Sequence, residues 1–305
     1  MKEAMTHRPL WLIAAPVVFL ILWSAGFAVA KIAVAHAAPL TVLALRYSMV
    51  LALLIPVALV MRPPMPSLRG ARDVAIVGFL IQVVYFGLCY VAFKSGVSAG
   101  AVAIVVCLQP ILVALVAPRL VGEAVSGKGW LGLILGLLGA ALAIAGRSSI
   151  AVENAFGVGL TVLALFGITA GTLWEKRFGV SHHPVASNLI QYAVGAAFCV
   201  PAALLTENTA IDWAPEFLWS MAYLVIGNSL LAMSLLLAMI RVGEVARVSS
   251  LFYLVPALSA LCAWPLLGEV MPVLGWAGMA LAGLGVALVA RRPSPARRIT
   301  GTDDT

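Results

Sequence analysis

The chain has 305 residues, of which 63% are hydrophobic and only 10% are charged, and its mean hydropathy is +1.08. A water-soluble core of this length cannot bury so much apolar surface, so the composition excludes a soluble globular protein and predicts an integral membrane protein. The net charge of +7 would suit nucleic acid, but the basic residues lie mostly in short loops between apolar segments, so we expect no nucleic-acid partner.

Ten apolar segments follow one another along the chain. A helix that crosses a bilayer needs roughly 20 apolar residues, because each residue rises ~1.5 Å through a hydrocarbon layer of ~30 Å. The sequence therefore predicts an all-α integral membrane protein with ten transmembrane helices, at residues 10–30, 40–61, 73–93, 98–118, 129–146, 157–176, 185–205, 215–239, 246–267 and 273–290. These spans leave no room for a separate soluble enzyme domain.

The basic residues predict the orientation of the spans. When the loops are assigned alternately to the two sides, one side receives only Lys31, Lys94 and Arg147, and the other receives the remaining loop lysines and arginines. Positively charged loops are retained in the cytoplasm. We expect a multi-pass protein of the plasma (inner) membrane with both termini in the cytoplasm and a disordered cytoplasmic tail over residues 292–305.

The sequence contains an internal repeat. Trp130 and Trp276 match at an offset of 146 residues, as do glycines and prolines on either side of them. Each copy contains five predicted spans, an odd number, so the second copy must be inverted relative to the first. Inverted repeats are typical of secondary transporters. We predict two five-helix domains, at residues 10–147 and 157–291.

Polar side chains inside the apolar segments indicate a substrate pathway, because such groups are costly in lipid unless they face other helices or a water-filled cavity. Gln82, Tyr85 and Cys89 are spaced to share one face of the third span. Asn228 and Ser229 lie in the matching span of the second copy. Hydrogen bonding between helices is the alternative role for the two amides. Because the repeat relates them near mid-span, we expect them to line a substrate cavity.

Two prolines interrupt predicted spans. Pro110 lies in the fourth span and Pro256 lies in the ninth, again 146 residues apart. A proline removes a backbone donor and clashes with the preceding turn, so it kinks a helix. Neighbouring helices often fill such kinks without any role in transport. Since each copy has one, we predict hinges at both prolines.

Arg46 is the one basic residue away from the ends of a predicted span. It lies about seven residues, or ~10 Å along a helix, from the outer end. Its side chain can therefore reach the outer headgroups or face the cavity and attract a carboxylate, and the sequence leaves both open. The second copy has Gln191 at the matching position, so an anion-binding role is not duplicated. Aromatic candidates for the cavity walls, which can instead pack or anchor at interfaces, are Trp23, Trp174, Phe252 and Tyr253.

The chemistry that the spans lack argues against an enzyme. All twelve acidic residues and all four histidines lie in loops, tails or span ends. An intramembrane metalloprotease or a metal-dependent prenyl transferase needs carboxylates or histidines clustered within the membrane. We therefore expect no catalytic residues, no metal site and no cofactor.

Small residues recur in the fifth and tenth spans. The two runs are Gly132, Gly136, Gly139 and Ala140, and Gly278, Ala282 and Gly285. Such residues let helix backbones approach closely. We expect the runs to pack within one chain, so the expected partners are a small-molecule substrate and membrane lipids. A dimer built through these runs is the alternative to a monomer.

Several local patterns resemble the EamA-type repeats of the drug/metabolite transporter superfamily. They are Leu22-Trp23-Ser24-Ala25-Gly26 followed by Lys31, Pro39-Leu40 leading to Leu45-Arg46-Tyr47, and the proline, Gly-Glu and tryptophan series that ends each copy. The resemblance covers about residues 10–291. It implies ten helices around a central cavity, alternating access and export of small metabolites. In length and layout the chain is most similar to bacterial amino-acid exporters, including those for aromatic amino acids.

We therefore expect a secondary transporter, not an enzyme, that exports neutral or aromatic amino acids. The expected cavity is mainly apolar, with amides and aromatic rings and without a deep acid. The alternative is multidrug efflux or efflux of another small metabolite, such as a nucleoside or a cationic drug. A cationic drug is the less favoured substrate, because a permanent cation usually requires a buried carboxylate.

Overall fold

The structure is a computed structural model that describes residues 10–97, 102, 105–145, 155–179, 182–243, 245–255, 258–259 and 273–290. Every regular element in these residues is a helix. The predicted disordered tail and Pro256 lie outside the described residues.

We number the helices in chain order as α1 (Leu10–His36), α2 (Pro39–Met61), α3 (Leu68–Lys94), α4 (Gln109–Leu120), α5 (Gly127–Ala145), α6 (Ala155–Gly179), α7 (Pro184–Thr206), α8 (Pro215–Val242), α9 (Val245–Leu254) and α10 (Val273–Ala290). Six of them, α1 to α3 and α6 to α8, are long and apolar enough to cross a membrane. In the described residues, the other four contain shorter apolar stretches. The chain is thus a multi-pass helical membrane protein, and ten crossings stay a prediction.

Helices α2 and α7 begin in the same way. Each has 23 residues and starts with a proline, Pro39 or Pro184. A proline is tolerated in the first helical turn, where the missing N–H has no helical partner in any case. The two helices pack against each other, with the ring centroids of Tyr47 and Tyr192 5.7 Å apart. The contact brings equivalent faces of the two copies together.

The helices pair across the two predicted copies. Besides α2 with α7, α4 packs against α9 and α5 against α10, while α1 packs against α8 and α3 against α6. Each of these contacts joins an element of the first copy to an element of the second. Any site between the copies is therefore built from both. The opposite membrane orientation of the two copies stays a prediction.

Helices α5 and α10 pack with their backbones in contact. A β-carbon added to Gly132 would lie 2.7 Å from the carbonyl oxygen of Gly285, and one added to Gly139 would lie 2.7 Å from that of Gly278. No side chain fits at such distances, so these positions need glycine. The predicted packing of the small-residue runs within one chain is confirmed.

Helices α3 and α8 each contain a π-helical segment. The segments cover Phe79–Gly87 in α3 and Tyr223–Ala232 in α8, which are equivalent parts of the two copies. A π turn accommodates an extra residue and loosens the regular backbone hydrogen bonding, and such turns are frequent at functional sites. These two segments carry Gln82 and Asn228, the amides that the sequence analysis singled out.

Candidate functional site

A cavity lies between α1, α3 and α8. It contains about 300 Å³ of empty space, a volume that includes the solvent at its opening. Its lining residues are Trp23, Gly26, Phe27, Ala30, Tyr85, Phe86, Cys89, Tyr90, Phe93 and Asn228. The walls are therefore mainly aromatic, and they suit a ligand with an aromatic or aliphatic body.

Helical spacing brings these walls together. The α1 residues between Trp23 and Ala30 recur at i, i+3, i+4 and i+7, which is the spacing of one helical face. On α3, the stripe from Tyr85 to Phe93 begins in the π-helical segment and continues into the last α-helical turns. Asn228 of α8 completes the cavity, so residues of both copies line it.

Arg46 lies directly behind the cavity wall, and it is fully buried. Its Nε donates to the Ser229 hydroxyl at 2.7 Å, Nη1 donates to the Tyr90 hydroxyl at 3.0 Å, and Nη2 donates to the Asn228 amide oxygen at 2.7 Å. The guanidinium carbon stands 4.7 Å from the centre of the Phe86 ring. Of the two roles left open by the sequence, reaching the outer headgroups is wrong, because the side chain points inward.

The charge of Arg46 has no counter-ion in the described part of the chain. None of the ion pairs found there includes Arg46, and all three of its hydrogen-bond partners are neutral. Burying an unpaired charge costs roughly several kcal/mol. Hydrogen bonds to a charged group contribute about 1.5–3 kcal/mol each and offset part of that cost. The guanidinium is therefore held in place by its neighbours and still attracts an anion.

Gln82 and Asn228 occupy different positions despite their match in the repeat. Asn228 lines the cavity and bonds to Arg46. Gln82 is fully buried outside the cavity wall, and its amide lies beside the Tyr192 hydroxyl. Ser229 lies behind the wall and holds Arg46, while Tyr85 and Cys89 line the cavity.

Two tyrosines from α2 and α7 hold the π-helical segments. The hydroxyl of Tyr47 donates to the carbonyl oxygen of Gln82 at 2.8 Å, and that of Tyr192 donates to the carbonyl oxygen of Ser229 at 2.7 Å. Both tyrosines are fully buried. Each copy thus uses the equivalent residue to bind a carbonyl of its π-helical segment. Neither tyrosine was predicted to have a role, although the two match in the repeat at an offset of 145 residues.

The four aromatic candidates are dispersed. Trp23 lines the cavity, and Phe252 packs edge-on against it with ring centroids 5.5 Å apart. Trp174 instead contacts Phe178, with ring centroids 4.8 Å apart. Tyr253 packs in a separate cluster with residues of α5 and α10. The structure places neither Trp174 nor Tyr253 in the wall of this cavity.

Pro110 lies in the first turn of α4, immediately after a break in the helix at Cys107. The backbone N–H that proline lacks therefore belongs to the first turn, where a helix leaves its N–H groups without helical partners. The matching stretch of the second copy, Leu251–Leu254, is a single 3₁₀ turn. The Cys107 sulfur contacts the carbonyl oxygen of Phe252 at 3.6 Å. The helix break at Cys107 and the 3₁₀ turn of the second copy are thus in contact. Movement about them stays a prediction.

A polar cluster lies near the start of α3, whereas the α3 residues that line the cavity begin at Tyr85 in its C-terminal half. Glu175 is fully buried, and its Oε1 accepts from Arg241 Nε at 2.7 Å. Arg241 also donates to the His182 carbonyl at 2.7 Å and to the Ser187 hydroxyl at 2.9 Å. The sequence placed this acid at a span end and predicted no deep acid, whereas the fold buries its carboxylate completely. Its partner, 66 residues away, was not visible from the sequence.

Further contacts close the same end. Lys176 Nζ lies 3.1 Å from Glu123 Oε1 and donates to the carbonyl oxygen of Gly243 at 2.5 Å. The other oxygen of Glu123 accepts from the backbone N–H of Val245 at 2.7 Å. These contacts tie α6 to the α4–α5 connection, α8 and α9. We call Glu123, Glu175, Lys176 and Arg241 the Glu175 cluster.

A second set of polar contacts lies at the start of α2 and the end of α1. The Glu207 carboxylate accepts from the N–H groups of Leu40 at 3.0 Å and Thr41 at 2.8 Å, at the start of α2, where the helix dipole favours an anion. His36 Nδ1 lies 2.9 Å from an oxygen of Asp212, whose side chain is 69% exposed. Exposed ion pairs contribute little. These contacts join α2 to the residue that follows α7, and α1 to the α7–α8 connection.

The chain matches a known family over most of its length. The sequence model of the EamA-like transporter family matches residues 10–145 and 155–291. The chain belongs to the EamA-like transporter family. As predicted from the sequence, this EamA-like transporter is therefore a membrane protein of a family that moves solutes.

Relatives of this EamA-like transporter have similar lengths. It is 26% identical over 270 residues to the uncharacterized inner membrane transporter YedA of Escherichia coli K12, covering 88% of this chain and 87% of YedA. It is 24% identical over 296 residues to a probable amino-acid metabolite efflux pump of Salmonella typhimurium, covering 92% and 96%. A crystal structure with 21% identity matches it with a TM-score of 0.75 over 92% of this chain and 97% of that one, which shows a shared fold.

Proposed function

We propose that this EamA-like transporter exports small amphipathic metabolites, foremost neutral and aromatic amino acids, across the inner membrane by alternating access. The observation that carries the proposal is a buried guanidinium, Arg46, directly behind a cavity whose walls include Trp23, Tyr85 and Phe86. This arrangement combines an apolar surface for the body of a substrate with a positive charge for its carboxylate.

The geometry supports a defined binding mode. The substrate body packs on the Trp23 and Tyr85 rings, which stack with centroids 6.3 Å apart. Its carboxylate lies at Tyr90 and Asn228, the lining residues that hold Arg46. A carboxylate about 7 Å from the guanidinium, one bridging side chain away, gains about 2 kcal/mol at an effective dielectric constant of about 20. Such a gain corresponds to a roughly 30-fold effect on affinity.

The two ends of the molecule support the transport cycle. The cavity runs from Trp23 toward Ala30 and Phe93, near the C-terminal ends of α1 and α3, while the Glu175 cluster closes the opposite end. The loop charges predict that the Glu175 end is cytoplasmic. We assign the described conformation to the outward-facing state, in which the substrate leaves. In the inward-facing state the Glu175 cluster separates, and the cavity end closes.

Similarity to the Salmonella typhimurium protein, which is named as a probable amino-acid metabolite efflux pump, adds support for an amino-acid substrate. Cationic drugs fit the site less well. In the described residues, the cavity lining contains no carboxylate that would pair with a cation. A monomer accounts for these features, since both copies of the repeat contribute to the cavity.

The test is counterflow in proteoliposomes with a panel that contains neutral and aromatic amino acids, a nucleoside and a cationic drug. We expect exchange of L-phenylalanine and L-tryptophan and none of the cation. Trp23→Ala removes an aromatic wall, and an aromatic contact contributes about 0.5–1.5 kcal/mol, so affinity should fall about 2- to 12-fold. Trp213→Ala, at a side chain that is 59% exposed, is the matched control and should retain full activity. No exchange of any amino acid would refute the proposal.

A further inference from the structure

We propose that the cavity recognises its substrate by the carboxylate alone, so that organic monocarboxylates with an aromatic or aliphatic body are bound in preference to zwitterionic amino acids. This inference rests on the proposed function, since it places the substrate in the same cavity. Within the small amphipathic metabolites proposed above, it ranks monocarboxylates above amino acids in affinity, because an ammonium group weakens binding.

The polar atoms that the cavity offers are hydrogen-bond donors. The buried indole N–H of Trp23 lies beside the Tyr85 hydroxyl, whose own hydrogen can donate to a ligand. The amide oxygen of Asn228 accepts from Arg46, so its Nδ2 group keeps N–H donors for another partner. The Tyr90 oxygen also accepts from Arg46, which leaves the hydroxyl hydrogen to donate elsewhere. A ligand group that only accepts hydrogen bonds, such as a carboxylate, matches this set.

An ammonium group finds no comparable partners. The described lining residues include no acid. Carbonyl oxygens of the π-helical segments are natural acceptors for an ammonium group, but those of Gln82 and Ser229 already accept from Tyr47 and Tyr192. The buried acid Glu175 is paired with Arg241 at the other end of the helices. An ammonium group in the cavity therefore finds only hydroxyl oxygens and aromatic faces in place of a carboxylate, and the Arg46 charge repels it.

The second copy limits the substrate to one carboxylate. Gln191, which matches Arg46, is fully buried, and its amide has no hydrogen-bond partner in the described residues. A second cation is therefore absent at the equivalent position. The second copy already has a glutamine at this position. Arg46→Gln therefore introduces a residue that occurs at the equivalent position of the same chain.

The experiment compares three ligands that share a phenyl ring and a short chain: 3-phenylpropionate has only the carboxylate, L-phenylalanine has both charges, and 2-phenylethylamine has only the ammonium group. Binding to the purified full-length protein is measured by isothermal titration calorimetry. We expect 3-phenylpropionate to bind at least tenfold more tightly than L-phenylalanine and 2-phenylethylamine not to bind. Equal or tighter binding of L-phenylalanine overturns the inference.

Variants test whether Arg46 sets this order. Arg46→Gln should weaken 3-phenylpropionate binding at least tenfold and remove its advantage over L-phenylalanine. Arg69→Gln makes the same substitution at an exposed arginine and should change nothing. If Arg46→Gln does not fold, Tyr90→Phe removes one donor and keeps the charge, and it should weaken 3-phenylpropionate binding about threefold or more. Unchanged 3-phenylpropionate binding in either folded variant overturns the inference.

Counterflow separates this inference from the proposed function. Radiolabelled L-phenylalanine exchange that 3-phenylpropionate does not inhibit would overturn the carboxylate preference and leave amino-acid export standing. Binding of 3-phenylpropionate to the protein without exchange of any amino acid would support the preference and refute amino-acid export.

Discussion

Neutralising Glu175 is expected to open the end of the molecule that the Glu175 cluster closes. Glu175→Gln keeps the size of the side chain and one acceptor oxygen but removes the negative charge. Arg241 then keeps the His182 carbonyl, the Ser187 hydroxyl and one amide oxygen as acceptors, but its charge loses its counter-ion. Breaking a buried ion pair by removing one partner costs about 3–5 kcal/mol.

The cost in this protein is at or slightly below the lower limit of that range. The Glu175 side chain is completely buried, but the Arg241 side chain is 9% exposed, so water solvates part of its charge. We expect the substitution to destabilise the closed arrangement by about 2–3 kcal/mol. Because 1.4 kcal/mol is a tenfold change, the equilibrium between the two states should shift about 30- to 150-fold toward the inward-facing state.

The assay follows a cysteine that the closed end shields. Thr172, which is 1% exposed, lies one helical turn before Glu175 on α6. In a variant with Thr172→Cys and no other cysteine, a membrane-impermeant maleimide added from the cytoplasmic side should label at least tenfold faster when Glu175→Gln is present. The matched control, Glu216→Gln, neutralises an exposed acid at the start of α8 and should not change the rate.

A charge swap provides the decisive comparison. The double variant Glu175→Arg with Arg241→Glu restores opposite charges and should lower the labelling rate toward that of the parent. An unchanged rate in Glu175→Gln would refute the view that this ion pair holds the end closed. An equal increase in the Glu216→Gln control would show that loss of any acid loosens the fold.

Three further substitutions test the fold and the cavity. Gly285→Ala should lower the midpoint of thermal unfolding, because the new β-carbon would collide with the α5 backbone at a cost of about 1–3 kcal/mol, whereas Gly283→Ala, with nothing within 4 Å, should not. Tyr47→Phe should destabilise the protein by about 1–3 kcal/mol in a denaturation assay, since a buried carbonyl loses its donor. Gly26→Ala should lower L-phenylalanine affinity about tenfold by displacing the Asn228 amide through a collision, while Gly87→Ala, with open space around it, should bind normally in calorimetry.

Part of the cavity lining was predicted from the sequence. Trp23, Tyr85, Cys89 and Asn228 line it, and each was chosen because its residue type is unusual or functional in a membrane span. The same reasoning selected Trp174, which packs elsewhere, because residue type and span membership do not say which way a helix face points. Facing directions depend on how the helices rotate against one another.

The sequence by itself determined α1 to α3 and α6 to α8, the duplication and the family. A helix in lipid must satisfy its own backbone hydrogen bonds, so its length and apolar character are local properties that one sequence displays. The small-residue runs of α5 and α10 are equally local, since close packing needs small side chains at helical spacing.

Only the tertiary structure decided which polar residues meet. Arg46 bonds to Tyr90, 44 residues away, and to Asn228, 182 residues away. The buried pair of Glu175 and Arg241 also joins separate helices. A single sequence carries no periodicity that reports such distances, because the partners are set by the packing of whole helices. The proposed substrate class depends on the burial of Arg46 beside an aromatic cavity without a counter-ion among the described residues. This burial is therefore a property of the fold.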